Sequence, residues 1–293
     1  TKSPYSDKGY IFISTGEDSY EIDEVTKEET GTSIKLFLRS NTEEEDYDEF
    51  LSEWEIKTLV KKYSDYIRYP ITMNCKHSEP LKDAEGKYIE GKYNEYVSED
   101  TLNSMIPLWK KNKKDVSKEE LNEFYKTKFN DYNDPLLSLH INVEGMISYS
   151  ALVFIPAKAP YDLYSEKYEK GLQLYTKGVF IMDKCKDLIP DYLRFTKGLV
   201  DSSDLSLNIS REMLQQDRQL KKIQTNVEKK IINELDKLKE DDYDKYLDFF
   251  KNYGSNIKYG IYENYGDKKD LLKDLLVYYT LENSEKPITL KKY

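Results

Sequence analysis

The chain has 293 residues, a formal net charge of −10 and a charged fraction of 34%. With 13% aromatic residues it carries too many large side chains for a disordered chain of this polarity. The negative charge is concentrated in residues 1–49, which hold 14 acidic and 5 basic side chains. This distribution excludes the strongly basic face of a nucleic-acid-binding protein.

The two cysteines, Cys75 and Cys185, are too few for a disulfide framework. The longest apolar stretches, such as residues 151–157, are much shorter than the roughly 20 residues that cross a membrane. No secretory signal is visible in the first residues. We therefore expect a cytoplasmic protein with no membrane partner, and a chain that starts at Thr1 within a structural pattern suggests a fragment.

The first hundred residues predict two strands, a boundary and a helix. Residues 10–14 and 32–39 have strand composition, and the acidic run 41–49 then interrupts the apolar pattern. Apolar residues at helical spacing follow from Tyr47 to Tyr63, and the helix must end by Tyr69 because Pro70 follows. Residues 74–100 are polar and predict a surface insertion.

The centre of the chain predicts a hairpin and further strands. Residues 136–144 and 146–155 predict a hairpin around Gly145, and apolar and polar side chains alternate from Leu137 to Val143. Residues 179–182 and 198–200 predict short strands with a helix between them.

The last third predicts mainly helices. Apolar residues recur every three or four positions from about 210 to 239, and a second helix carries residues 246–253 and ends at Gly254. A strand is predicted at 257–262 and a helix at 268–279. This alternation of strands and helices predicts layered α/β architecture.

Residues 204–216 contain the strongest chemical signal. Asn208 or Ser210 can cap the long helix, which places Arg211 in the first turn and Gln215 on the same face. Free N–H groups, a guanidinium and an amide together form a receptor for an anion. The alternative is that Arg211 only pairs with a nearby acid such as Asp204.

The sequence LNISREMLQQ at residues 207–216 closely resembles the catalytic loop of the 90-kilodalton heat-shock chaperones, and most of all their bacterial HtpG branch. Other similar segments follow the order of that family and together extend over essentially the whole chain: residues 63–66, 107–109, 123–125, 143–145, 151–156, 159–162, 179–183, 198–201 and 271–279.

The resemblance implies a three-layer α/β/α middle domain with a long-helix segment and a second, smaller α/β unit, preceded by terminal strands of the amino-terminal domain. The implied boundaries are the end of the nucleotide-binding domain at 1–40, an acidic linker at 41–49, a large middle subdomain at 50–200, the catalytic loop and helices at 201–254, a small subdomain at 255–282 and the start of the dimerisation domain at 283–293.

The resemblance also implies an ATP-dependent chaperone. Arg211 and Gln215 would reach the γ-phosphate of ATP held with Mg²⁺ by the amino-terminal ATPase domain, and Asn208 would organise the loop. The sequence contains no G-x-G-x-x-G and no Walker loop, so we expect this chain alone to be inactive and to bind no cofactor. The full-length protein would be a homodimer, whereas the fragment would be a monomer.

The resemblance further implicates Trp109 and Phe180 in binding non-native client proteins. Residues 105–109 form an apolar run beside the polar insertion, which suits a partner site if it is exposed. The alternative is that both aromatic residues belong to the core. A second open hypothesis for the whole chain is a client or co-chaperone platform without a catalytic role.

Three weaker signals predict no site. Cys75 and His77 are two residues apart but have no second pair of metal ligands. His140 falls on the polar side of its strand and is expected at the surface. Asp201 and Asp204 suggest loop and capping roles rather than a pair of catalytic carboxylates.

Overall fold

A computed structural model describes residues 1–16, 19–82, 88–205 and 218–293. The chain divides into two compact units, Thr1–Glu55 and Ile56–Tyr293. The domain boundaries inferred from the resemblance stay predictions. Among the described residues, no helix is long and apolar enough to cross a membrane.

The first unit contains a two-stranded antiparallel sheet of β1 (Gly9–Ser14) and β2 (Tyr20–Val25). The prediction of β1 is confirmed, but the strand predicted at residues 32–39 is wrong, because those residues form no strand. β2 follows β1 after a turn at Gly16, whose φ of +86° suits glycine, and this nearby segment is the one that pairs. A 3-10 turn at Tyr47–Leu51 follows.

The predicted surface insertion is a long hairpin. After helix α1 (Glu53–Tyr63), β3 (Thr72–Lys82) pairs antiparallel with β4 (Tyr88–Thr101). Cross-strand contacts stabilise the polar ribbon, since the rings of His77 and Tyr96 stack at 5.2 Å. These two strands were not predicted, because their composition is polar.

Helix α2 (Lys118–Phe129) has clear start and stop signals. Ser117 and Glu120 form a reciprocal capping box at its start, and Asn130 ends it in the left-handed conformation with a φ of +49°.

The second unit is built on a five-stranded sheet in the order β5-β6-β9-β7-β8. Only β7 and β9 are parallel, and the other neighbours are antiparallel. The hairpin predicted around Gly145 is confirmed. The strands are β5 (Leu137–Val143), β6 (Tyr149–Ile155), β7 (Leu172–Thr176), β8 (Val179–Cys185) and β9 (Lys197–Ser202).

The connection between β8 and β9 differs from the prediction. The predicted helix is replaced by two 3-10 turns, Lys186–Leu188 and Asp191–Leu193. Pro190 separates these turns and restricts the preceding residue to an extended conformation, which prevents a continuous helix.

Side chains from the two faces of the sheet enter two separate cores. Ala151, Val153 and Val200 point to a large core shared with the long helices. Leu152 and Phe154 point to the opposite side, where an aromatic core packs against α2. The predicted three-layer α/β fold class is confirmed.

Two long helices form one outer layer, α3 (Arg218–Asp241) and α4 (Tyr243–Tyr262). α4 passes through Gly254 without ending, so the helix end predicted there and the strand predicted at residues 257–262 are both wrong. The glycines of α4 permit close packing instead, since a Cβ on Gly260 would lie 2.5 Å from the ring of Tyr192. The predicted start of α3 near residue 210 lies outside the described residues.

The final helix is shorter than predicted. α5 (Lys269–Leu272) continues into a 3-10 turn, Lys273–Leu275. The chain then forms the short antiparallel pair β10 (Val277–Tyr278) and β11 (Ile288–Thr289).

Candidate functional site

The residues predicted to carry catalysis lie in the loop between β9 and α3. Asn208, Arg211 and Gln215 belong to residues 206–217, outside the part of the chain that the structure describes. Their roles stay predictions. The two ends of this loop are described, however, and they show how the chain holds it.

Asp201 fixes the strand from which the loop departs. It is 2% exposed near the end of β9, and its Oδ2 accepts a hydrogen bond from Trp109 Nε1 at 3.0 Å and pairs with Lys110 Nζ at 2.9 Å. The backbone N–H of Gly178 donates to its Oδ1 at 3.4 Å. One buried carboxylate therefore connects three separate segments of the chain.

Gly178 can approach Asp201 because of its turn. Lys177 and Gly178 have φ values of +53° and +80°, the pattern of a tight type I′ hairpin between β7 and β8. A Cβ at Gly178 would overlap the backbone carbonyl of Tyr66. Glycine is thus required both by the turn and by the close contact.

A second set of contacts holds the chain after β9. Asp204 Oδ2 accepts a hydrogen bond from the backbone N–H of Ser148 at 2.7 Å, and Ser202 Oγ donates to the Ser148 carbonyl at 2.8 Å. Leu205 then enters the large core at 4% exposure. The start of the loop is therefore tied to the turn between β5 and β6, which agrees with the loop role predicted for Asp204. The loop role predicted for Asp201 is wrong, because Asp201 is a buried residue of β9.

The helix side of the loop is positively charged. The first turn of α3 has no acidic residue. A cavity of about 460 Å³ on this helix is lined by four cations and two uncharged polar residues: Arg218, Lys221, Lys222, Lys229, Thr225 and Asn226. A helix start with this charge attracts anions.

Trp109 is a core residue in this structure. It is fully buried, and its ring centroid lies 4.4 Å from that of Tyr66, 5.2 Å from Tyr175 and 6.2 Å from Phe124. This burial favours the core alternative, because a side chain without exposed surface cannot contact a client unless the aromatic core opens.

Phe180 differs from Trp109 because it is only partly buried. Its ring makes edge contacts with Tyr63 at 5.8 Å and with Tyr175 at 5.4 Å. Of the two residues predicted to bind clients, Phe180 is therefore the one with surface to offer. Ile106, which belongs to the apolar run at residues 105–109, is 68% exposed.

Lys128 is a cation of the aromatic core that the sequence analysis missed. Its Nζ donates to Tyr175 Oη at 3.0 Å and lies 5.9 Å from the ring centroid of Tyr66. Burial lowers the pKa of Lys128, and burial likewise raises the pKa of Tyr175. Only its position in α2, one helical turn after Phe124, could have indicated this location.

The expectation that His140 lies at the surface is wrong. It is 8% exposed, and its Nε2 lies 3.0 Å from the Trp109 carbonyl oxygen. The sheet is covered on both faces, so the polar side of β5 is also buried.

The Cys75 and His77 region is a side-chain network on the β3–β4 hairpin. His77 Nε2 lies 2.9 Å from Asp100 Oδ2, and Asp100 Oδ1 accepts a hydrogen bond from Ser98 Oγ at 2.8 Å. Over the described ranges, no group of three or more His, Cys, Asp or Glu side chains could hold a metal ion. Cys75 and Cys185 are both buried and do not form a disulfide.

Comparison with known proteins gives a consistent result. The Hsp90 protein family matches residues 79–293. The chain is similar to the chaperone protein HtpG of Clostridium perfringens, with 48% identity over 100% of this chain and 46% of the relative. The HtpG chaperones of Alkaliphilus metalliredigens and Clostridium botulinum are each 47% identical, over 46% and 45% of their lengths and 100% and 98% of this chain. The chain thus spans about half the length of the curated relatives it matches.

Proposed function

The chain belongs to the Hsp90 family, and from this premise we propose that it is the middle segment of an ATP-dependent chaperone. Its role would be to present Arg211 to ATP bound by the amino-terminal ATPase domain of the full-length protein. The similarity to HtpG chaperones over the whole chain supports this proposal.

The observation that carries the proposal most strongly is the charge at the start of α3. Arg218, Lys221 and Lys222 follow the loop directly, and the first described turn of α3 contains no acidic residue. A field of this sign favours a phosphate group near the loop. It would also lower the energy of a transition state in which negative charge accumulates on phosphate oxygens.

Each loop residue has a distinct proposed role. The Arg211 guanidinium would donate hydrogen bonds to the γ-phosphate, and the Gln215 amide, one helical turn later, would add a neutral donor. Asn208 would hold the loop conformation. Mg²⁺ bound with ATP would neutralise phosphate charge, and its ligands would come from the amino-terminal domain.

The anchored strand explains how a loop can position a guanidinium. Asp201 and Asp204 fix the end of β9 to three other segments, and α3 is packed on the large core by Leu220 and Ile223. Positioning from rigid elements reduces the entropy lost when a catalytic group meets its target.

We also propose that the full-length protein binds non-native clients, with Phe180 as one contact, that it works as a homodimer, and that it is cytoplasmic. Two buried cysteines that form no disulfide agree with a reducing compartment. The isolated chain would be a monomer with negligible ATP hydrolysis.

The test is ATP turnover in a protein that links this chain to the nucleotide-binding domain of the family. Arg211→Ala should lower kcat by about tenfold or more, because an arginine supplied to phosphoryl transfer contributes several orders of magnitude in related enzymes. Gln215→Ala should give a smaller loss of kcat.

The matched control is Arg68→Ala, since Arg68 is exposed and contacts the ring of its neighbour Tyr69. Its turnover should equal that of the unmodified protein. Unchanged turnover in Arg211→Ala would instead support the alternative, a platform for clients or co-chaperones without a catalytic role.

A further inference from the structure

A groove lined by lysines lies between the start of α2, the end of β6 and the first half of α4. One cavity of about 610 Å³ and a second of about 320 Å³ form it. The two cavities share Lys118, Pro135, Leu136 and Lys245 in their linings, so they are adjacent. We call it the lysine groove, and its cations are Lys113, Lys118, Lys158, Lys245 and Lys251.

The walls of the lysine groove are held in place by hydrogen bonds. The backbone N–H of Ala159 donates to Asn252 Oδ1 at 3.3 Å, and Tyr253 Oη donates to the Pro156 carbonyl at 3.0 Å. These two bonds join the end of β6 to α4. On the other side, the Ser117–Glu120 capping box fixes the start of α2.

The charge of the lysine groove is not balanced locally. None of its five lysines forms an ion pair with a carboxylate of the described residues. Two acids line it, and one of these, Asp134, already pairs with Lys126 at 3.2 Å. In a chain of net charge −10, this local excess of cations favours a negatively charged ligand.

The lining of the lysine groove adds a further requirement for the ligand. Apolar side chains line the groove between the lysines: Val116, Leu121, Leu136, Leu137 and Ala157. Asn122 and His140 also line it, and each has one buried atom, Oδ1 and Nδ1, with no hydrogen-bond partner within the described ranges. Both atoms are buried beneath the surface of the groove. The apolar side chains that line the groove therefore favour a ligand that carries apolar groups beside its charges over a simple anion.

The spacing of the lysines sets the size of the ligand. Lys245 and Lys251 are separated along α4 by roughly 9 Å, at about 1.5 Å per residue. A single phosphate is smaller than this distance, whereas an extended peptide covers it with about three residues.

We propose that the lysine groove binds an extended acidic peptide segment of a partner protein. Its carboxylates would contact the lysines, and its apolar side chains would lie on the floor. This inference does not depend on the proposed role of Arg211, and each can fail without the other.

The test is fluorescence anisotropy with the complete 293-residue chain. The probe is a labelled peptide of alternating glutamate and leucine, about twelve residues long so that it spans the groove when extended. We expect saturable binding that weakens as salt is added, because exposed charge pairs are screened. A peptide with lysine in place of glutamate should not bind.

Paired charge reversals locate the site. Lys245→Glu/Lys251→Glu should weaken binding by about tenfold or more, while Lys230→Glu/Lys237→Glu, on exposed positions of α3, should change it by less than about twofold. Both double variants alter the net charge equally. Lys118→Glu/Lys158→Glu tests the opposite wall and keeps the experiment informative if a change in α4 disturbs folding.

Three results would overturn the proposal. Equal losses in the α3 and α4 variants would mean that binding follows only net charge. Full displacement of the probe by millimolar inorganic phosphate would reveal a simple anion site. Absence of saturable binding at low salt would leave the lysines as an ordinary solvated surface.

Discussion

At the scale of single residues, Asp201 shows how one buried carboxylate can organise a site. It joins Trp109, Lys110 and the Gly178 backbone, and it lies a few residues before the proposed catalytic loop. Sequence analysis noted Asp201 only as a loop residue. Its partners are 92 and 23 residues away in the chain, so no local pattern could have revealed them.

Replacing Asp201 should destabilise the second unit. Asp201→Ala leaves the buried Trp109 N–H without an acceptor, which costs about 1–3 kcal/mol in the free energy of unfolding. Urea denaturation followed by tryptophan fluorescence measures this loss. Asp267→Ala, at an exposed carboxylate, is the control and should remain near the unmodified value. An equal stability for both variants would contradict this role.

Asp131 gives a prediction about pH. Burial alone would raise the pKa of its carboxyl, but hydrogen bonds from Tyr125 Oη at 2.5 Å and from Asn133 outweigh burial and lower the pKa below its usual value. A depressed pKa in the folded state contributes stability that is present above the unfolded pKa and is lost as pH falls through the folded value.

The measurable quantity is the difference in unfolding free energy between the unmodified chain and Asp131→Asn. It should be constant above about pH 5 and should shrink as pH falls below about 4. Urea titrations at several pH values provide it. A difference that does not change with pH would show that the ionised carboxylate adds nothing.

At the scale of elements, strong periodicity decided what could be predicted. The β5–β6 hairpin was predictable because apolar and polar side chains alternate in β5, β6 ends in an apolar run, and Gly145 marks the turn. β7 was missed because its five residues, LQLYT, are too few to show alternation clearly. The β3–β4 hairpin was missed because its stability comes from cross-strand pairs of polar residues rather than from a buried face.

The role of the glycines in α4 likewise could not be predicted from local sequence patterns. Gly254 resembles a helix end in the sequence, yet it lies buried within the helix, and the nearest atoms to its Cβ position belong to the ring of Phe250 in the same helix. Sequence alone cannot separate a glycine that ends a helix from one that permits close packing.

Two substitutions in α4 test whether each glycine is required for close packing. Gly260→Ala should destabilise the chain by about 1–3 kcal/mol, because its Cβ would overlap the buried ring of Tyr192. Gly254→Ala is the matched control, since its Cβ would meet the partly buried ring of Phe250 at 3.0 Å and alanine favours the helix. Thermal denaturation compares them, and a larger loss for Gly254→Ala would contradict this packing account.

At the scale of the whole molecule, the sequence predicted the layered fold class and the family, and it located the candidate loop. The fold class, the family and the candidate loop were all predicted from patterns that are local in the chain. The burial of His140 could not be predicted, because it depends on elements far away that cover both faces of the sheet, whereas burial of Trp109 was one of the two alternatives that the sequence left open. The lysine groove likewise arises only when α2, β6 and α4 come together.

The two proposals place different chemistry on separate surfaces. The loop after β9 and the basic start of α3 would serve phosphoryl transfer, and the lysine groove would bind acidic peptide. Both use lysine or arginine on an acidic chain, so each is defined by a local excess of cations rather than by the net charge.

The central claim is that Arg211 stabilises phosphate charge during ATP cleavage. The most direct measurement is the single-turnover cleavage rate at saturating ATP, in the protein that links this chain to the nucleotide-binding domain, for Arg211→Ala beside the unmodified form. We predict cleavage slower by about tenfold or more with little change in ATP affinity. Equal cleavage rates would contradict the claim.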